Sequence, residues 1–214
     1  HSANLNNRRI SMNIGEIYEN NLQQQFVILK EFSKKRATGR GNYRMYTVKF
    51  LSTGTVKDVY HENAVKHKVR DDYAISVYGV GFLGFRDKQC GFYNQGKQLW
   101  LNMMKRCYCE KDDRGYKGSV VVCPRWQNLE LFLKDLPELK NFNLWLIGGK
   151  CSSTRYQLDK DVLGDGTVYS KETCQFITEK ENKTLGAINA RAWDKRYGRS
   201  KPENKVLDRD LAKD

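Results

Sequence analysis

The chain has 214 residues, of which 39% are hydrophobic and 12% aromatic, enough to build real cores and to exclude wholesale disorder. No run approaches roughly 18 consecutive apolar residues, so a helical membrane span is excluded and no signal peptide is recognisable. Thirty-eight Lys and Arg against 25 Asp and Glu leave a net charge of +13. That excess points to a polyanionic partner, and to nucleic acid before a membrane surface, because no basic amphipathic helix with an aromatic face stands out.

Residues 1–11 are polar and precede Met12; they read as a leader outside the fold, with Met12 as the native start. Residues 12–72 read as a small β-rich module. Residues 26–29 are an apolar run of strand length, and residues 43–50 are rich in β-branched and aromatic side chains. Ser52-Thr53-Gly54 then turns the chain so that residues 55–60 pair back. Residues 33–41 form a basic loop with glycines between the first two strands. From Leu22 to Arg70 eleven cations stand against Glu31, Asp58 and Glu62, a local excess of +8. A field of that density attracts phosphate chains by releasing their condensed counterions.

Residues 73–97 carry Gly79, Gly81, Gly84, Gly91 and Gly96 and read as a linker, although Tyr78, Phe82, Phe85, Phe92 and Tyr93 imply that it packs on something. Gly79-x-Gly81-x-x-Gly84 imitates a nucleotide-binding loop, but no βαβ pattern surrounds it. From Gln98 onward Trp100, Met103, Met104 and Cys107 fall on one helical stripe. Residues 119–123 read as a strand. Pro124 opens a second helix that buries Trp126, Leu129, Phe132, Leu133 and Leu136, and Pro137 ends it.

Residues 155–158 and 174–177 read as two strands around the turn-rich stretch 159–170. Thr178-x-x-Glu181 is a capping box, which predicts a helix from Thr178 towards Trp193. The charged residues 194–214, with Gly198 and Pro202, predict a flexible tail. The expected fold class is therefore α+β: a β-rich module, a glycine-rich linker, then an α+β domain over residues 98–193. The six cysteines lack paired metal-ligand spacing, and no histidine follows His67; reduced, mostly buried thiols in a cytoplasm are expected.

Strand, irregular loop, strand, helix is the ββα plan of HNH nucleases, and here a resemblance becomes specific. Leu158-Asp-Lys-Asp-Val-Leu163, Val168-Tyr-Ser-Lys-Glu-Thr-Cys-Gln-Phe-Ile-Thr178 and Glu181-Asn182 resemble the HNH module of phage and prophage homing-endonuclease-like proteins. Val77-Tyr-Gly-Val-Gly-Phe-Leu-Gly84, Trp100 with Met103, Arg106-Cys-Tyr108, Tyr116-Lys-Gly118 and Val122-Cys-x-Arg-Trp126 resemble the same family, as does the leading stretch 15–54. Together these segments span roughly residues 13–184.

The resemblance implies a degenerate nuclease centre. In this class a strand histidine activates water, while a metal ion held by Asp or His and by Asn or His stabilises the developing charge. The resemblance places that histidine at Gln157, whose amide cannot take up a proton at neutral pH. Thr173 stands where such modules carry a structural Asn. What is left as catalytic candidates is Asp159, Asp161 and Asn182, with Asp159 and Asn182 as the pair for Mg²⁺. The plainer reading makes the aspartates turn formers and Asn182 a local hydrogen-bonding residue. His61 and His67 are expected to be exposed or near phosphate, with a composite site borrowing one of them as the outlying alternative.

For DNA contact the candidates are Lys34, Lys35, Arg36 and Arg40 on the basic loop, and Arg44 and Lys49 on opposite faces of one strand, with Asn42 or Tyr43 beside them. Arg191, Lys195, Arg196 and Arg199, interleaved with Trp193 and Tyr197, form a second candidate surface. Each single cation could equally be a solvated side chain. The leading expectation is a non-catalytic, sequence-specific double-stranded DNA-binding protein with no cofactor, acting as a regulator on the nucleoid of a bacterial cytoplasm. The competing one is an active Mg²⁺-dependent endonuclease; an RNA-binding or purely structural basic protein stands third.

Overall fold

The computed structural model describes residues 12–85, 90–110 and 118–197, with no side-chain description over 189–197. The described chain forms two compact units. One runs to Leu136 and includes Thr167–Ser170; the other comprises Pro137–Gly166 and the residues from Lys171 onward. This cuts the chain differently from the expected 12–72, 73–97 and 98–193. The mixed α+β class stands. Among the described residues no helix is long and apolar enough to cross a membrane.

The first unit opens with an antiparallel sheet in the order β1 (Ile17–Glu19), β2 (Gln25–Lys35), β3 (Asn42–Phe50) and β4 (Val56–Tyr60). Period-two alternation builds it: Phe26 and Ile28 on β2 stand opposite Phe50 and Val48 on β3. All four are fully buried, and they form one cluster with Tyr46, Val59, Ala64 and Val69. A register shift between Ile28 and Lys30 leaves Leu29 as a bulge. The short helix α1 (His61–Val65) covers the end of β4. Neither β1 nor α1 is signalled in the sequence.

The expected basic loop is shorter than 33–41. Lys34 and Lys35 belong to β2, paired with Tyr43 and Asn42, and only residues 36–41 make the connection. The Arg36 and Gly39 amides donate to Gly41 O and Arg36 O at 3.2 and 2.9 Å. Gly39 and Gly41 both hold positive φ there, so the turn chemistry tightens a hairpin that composition alone reads as a loose loop.

The stretch expected as a linker is bound down. The Phe82 amide donates to Gln127 O and its carbonyl accepts from Leu129 N, both at 3.0 Å. A Cβ on Gly81 would sit 2.8 Å from Met104 Cε, so this glycine is where the backbone presses on the helix below. That helix, α2 (Tyr93–Tyr108), starts five residues before the expected Gln98. Gly96 lies inside it and lets it approach Leu133. Two short helices follow, α3 (Pro124–Gln127) and α4 (Leu129–Asp135). The expected single helix breaks at Asn128, whose side chain caps the new start by accepting from Glu130 N at 2.9 Å. Buried Asp135 is satisfied by a two-pronged Arg125 at 2.7 and 2.8 Å and by Trp126 Nε1 at 2.9 Å. The strand β5 (Val121–Val122) is shorter than expected.

In the second unit, α5 (Phe142–Ile147) precedes β6 (Tyr156–Asp159). The short β7 (Val168–Tyr169) belongs to the first unit, where it pairs in parallel with β5. Then β8 (Gln175–Thr178) pairs antiparallel with β6, and α6 (Glu179–Tyr197) follows at once. Trp145 stacks on Phe176 with ring centroids 4.9 Å apart and fixes α5 on the β6–β8 ladder. The capping box forms as its spacing requires: Thr178 N donates to Glu181 Oε2 at 2.8 Å, and Glu181 N donates to Thr178 Oγ1 at 3.1 Å. The backbone of α6 extends to Tyr197, into the expected tail; residues beyond it lie outside the described ones. None of the six cysteines is in a disulfide; only Cys107 and Cys174 are buried and Cys151 is exposed, so the thiols are less enclosed than expected.

Candidate functional site

Two places hold the residues singled out by sequence. The first is the strand–loop–strand–helix segment of the second unit. Strand register sets Gln157 opposite Ile177 and Asp159 opposite Gln175. Asn182, in the first turn of α6, donates from Nδ2 to Gln157 Oε1 at 3.0 Å, so strand and helix are joined by an amide pair. Asp159 is 3% exposed, and its Oδ2 accepts from the backbone amides of Asp161 and Val162, both at 3.0 Å. Burial raises its carboxyl above the ordinary carboxylate value, partly offset by those two amides. Asp161 instead accepts from the ammonium of Lys160 at 2.6 Å, and Lys160 is itself buried. An uncompensated ammonium there would be costly, which gives Asp161 a structural task.

The three residues that the resemblance leaves as catalytic candidates are thus each engaged within the protein itself. Asp159 shapes its loop, Asp161 pairs with Lys160, and Asn182 is engaged with Gln157. Among the described residues no three His, Cys, Asp or Glu side chains gather as a metal group. His67 is remote in role: its Nδ1 lies 2.6 Å from Glu19 O and clasps the edge of the sheet.

The second place is the β2–β3 hairpin. Beyond Phe32 and Met45 the last three ladder pairs, Ser33 with Arg44, Lys34 with Tyr43 and Lys35 with Asn42, extend past both neighbouring strands. What protrudes is a two-stranded ribbon. Lys34, Lys35, Arg36 and Arg40 are all exposed on it, and Lys34 and Lys35 alternate between its two faces. Arg44 is already engaged, forked onto Glu31 at 2.6 and 3.0 Å. Lys49 lies exposed on the far part of β3, away from the tip. Of the second cationic surface, Arg191, Lys195 and Arg196 lie on the backbone of α6 with their side chains outside the described residues, and Arg199 lies outside them altogether.

Beside the ribbon is a cleft of about 500 Å³ lined by Arg36, Asn42, Tyr43, Tyr60, His61 and Asn63 among others. Tyr43 meets Tyr60 edge to face with centroids 5.0 Å apart, and the Arg36 guanidinium lies 4.7 Å from the Tyr43 ring centroid. His61 Nδ1 lies 3.0 Å from the Tyr46 hydroxyl. Burial first, and then the Arg44 charge, holds the His61 pKa below its ordinary value. A second pocket of about 260 Å³ adjoins it, sharing Tyr60 and Asn63 and adding Lys57, Lys68 and Arg70. Sequence reasoning names neither Tyr60 nor Asn63 nor the lysine and arginine at 68 and 70 as site residues. The signal is present as a Tyr-His-x-Asn run at the end of a strand, but only pairing of β4 with β3 brings it to the hairpin.

Comparison of the chain with protein families, with curated proteins and with solved structures gave no match in any of the three.

Proposed function

We propose that this chain is a double-stranded DNA-binding protein built on an HNH-nuclease-like scaffold that no longer hydrolyses its target. The observation that carries the reading is the basic ribbon: two strands projecting past the sheet, with exposed cations on both faces and at the turn. A major groove admits a two-stranded ribbon of this kind, and cations on both faces can meet the phosphates of both walls. Arg36, Arg40 and Asn42 at the tip carry the donor and acceptor groups that read base edges, which would make the binding sequence-specific.

The non-catalytic half of the reading rests on chemistry at Gln157. An amide replaces the proton acceptor that the family resemblance demands, and its oxygen is already occupied by Asn182. Such a protein acts by occupying its site, as a regulator on a bacterial nucleoid.

Selection of bound fragments from genomic DNA, followed by incubation of the recovered site with Mg²⁺ or Mn²⁺, tests both halves. Enrichment of a defined duplex without nicks is the expected result. Metal-dependent cleavage abolished by Asp159→Ala would establish the endonuclease reading instead. Preference for single-stranded RNA over duplex would replace both.

A further inference from the structure

The aromatic cleft and the basic pocket beside it share a wall, and their chemistries complement the two halves of a nucleotide. The cleft offers ring faces and edges at Tyr43 and Tyr60, a guanidinium plane at Arg36, and amides at Asn42 and Asn63. Those are the groups that stack a base and hydrogen-bond its edge. Its volume of about 500 Å³ lies within the roughly 300–1,000 Å³ of small-ligand clefts. The adjoining pocket offers Lys68 and Arg70, neither of which makes an ion pair among the described residues, beside one carboxylate, Asp58, which accepts from Thr47 Oγ1 at 2.7 Å. Lys57 is tied to Asp72 at 2.8 Å and serves as framework. Arg70 Nε is buried without a hydrogen-bond partner, and an anion in the pocket would meet the outer guanidinium nitrogens.

We propose that the two pockets together seat one unpaired nucleotide of the bound DNA, the base against Tyr60 and the Arg36–Tyr43 stack and its phosphate against Lys68 and Arg70. The inference rests on the DNA-binding reading and adds to it. The ribbon grips the duplex, while the edge of the same sheet holds a nucleotide that is already out of the stack, as at a bulge, or that is extruded at the protein's expense. An unpaired nucleotide costs less to seat, because the energy of unstacking and unpairing has been spent beforehand.

The test uses the full chain and three duplexes of one sequence, compared by fluorescence anisotropy at one salt concentration: fully paired, with a single extra thymidine, and with an abasic residue in place of that thymidine. The thymidine bulge is expected to bind roughly tenfold more tightly than either of the others, since stacking of one base on aromatic side chains is worth that much or more. Tyr60→Ala should erase the advantage, whereas Lys68→Gln should weaken both bulged duplexes alike. Equal affinity for the thymidine and abasic bulges, with the paired duplex still bound, overturns this inference and leaves the DNA-binding reading standing. Absence of binding to all three overturns both. Should Tyr60→Ala fail to fold by circular dichroism, Tyr43→Ala reads the same loss, because its ring contacts Arg36 and Tyr60 at the surface; an advantage that survives it counts against the proposal.

Discussion

Asn182 and Gln157 form a side-chain amide pair, Nδ2 to Oε1 at 3.0 Å, which fastens the start of α6 to the strand β6. The pair makes Gln157 a fastening between strand and helix. Removing one partner leaves the other half-buried amide short of one bond. Asn182→Ala should lower unfolding free energy by roughly 0.5–1.5 kcal/mol, read as a shift in the urea midpoint at constant slope. An unchanged midpoint would show that the pair contributes nothing to stability.

Asp159 gives a pH signature whose sign is fixed by burial. Its folded pKa is raised, so the native state holds the proton more tightly than the unfolded chain does. The carboxyl's favourable contribution is therefore complete below the ordinary carboxylate range and is lost as pH climbs through the raised folded value. Asp159→Asn cannot titrate and retains an oxygen for the two loop amides. Against it, the wild type should lose stability from about pH 4 upward. Asp159→Ala forfeits both hydrogen bonds and should cost roughly 1–3 kcal/mol at any pH. Thermal melts of the three proteins across pH decide the matter.

The Arg44–Glu31 fork ties up a guanidinium at the base of the ribbon, and that hydrogen bond holds the Glu31 carboxyl below its usual value. Glu31→Gln removes a negative charge from the base of the ribbon and releases Arg44. Duplex affinity should rise by roughly two- to fivefold at low salt, and the gain should fade as salt screens it. A drop in affinity would mean that the fork positions the ribbon for binding.

Replacing Lys34, Lys35, Arg36 and Arg40 with Gln alters four exposed side chains and leaves the core untouched. The log-affinity against log-salt slope should fall by roughly 0.9 for each phosphate that the variant no longer neutralises, with the melting temperature nearly unchanged. A slope that does not move would remove the ribbon from the DNA interface.

Gly84 holds φ +64°, and a Cβ there would run into the Asn128 side chain and come within 2.8 Å of Glu130 Oε2. Gly84→Ala should therefore strain the backbone and disturb the cap of α4 together, at a cost of roughly 1–3 kcal/mol in equilibrium unfolding. Wild-type stability in this variant would show that the stretch is as loose as its glycines suggest.

What the sequence makes legible depends on the kind of signal. Thr178 and Glu181 are legible because a capping box is a local, reciprocal bond. The stripe of Trp100, Met103, Met104 and Cys107 is legible because helical periodicity survives any tertiary context. Gly81 and Gly96 mislead because glycine marks close approach as often as slack, and only Met104 and Leu133 on the facing elements tell which. Lys34 and Lys35 look like loop residues because composition records charge but not the pairing of strands. The cleft is hidden for a related reason: Tyr43 and Tyr60 are seventeen residues apart in the chain, and only their sheet register makes them neighbours.

Past Phe32 and Met45 the hairpin has no third strand alongside among the described residues; Tyr60 and α1 flank its β3 side, and the β2 side keeps a row of backbone amides and carbonyls unladdered. Such edges template pairing with a second copy, and lysines on them keep copies apart by mutual repulsion. A polyanion that neutralises those lysines lifts the repulsion at the moment it brings molecules side by side. If the proposed duplex binding holds, edge-to-edge pairing of copies is expected to emerge first where they crowd on a long duplex.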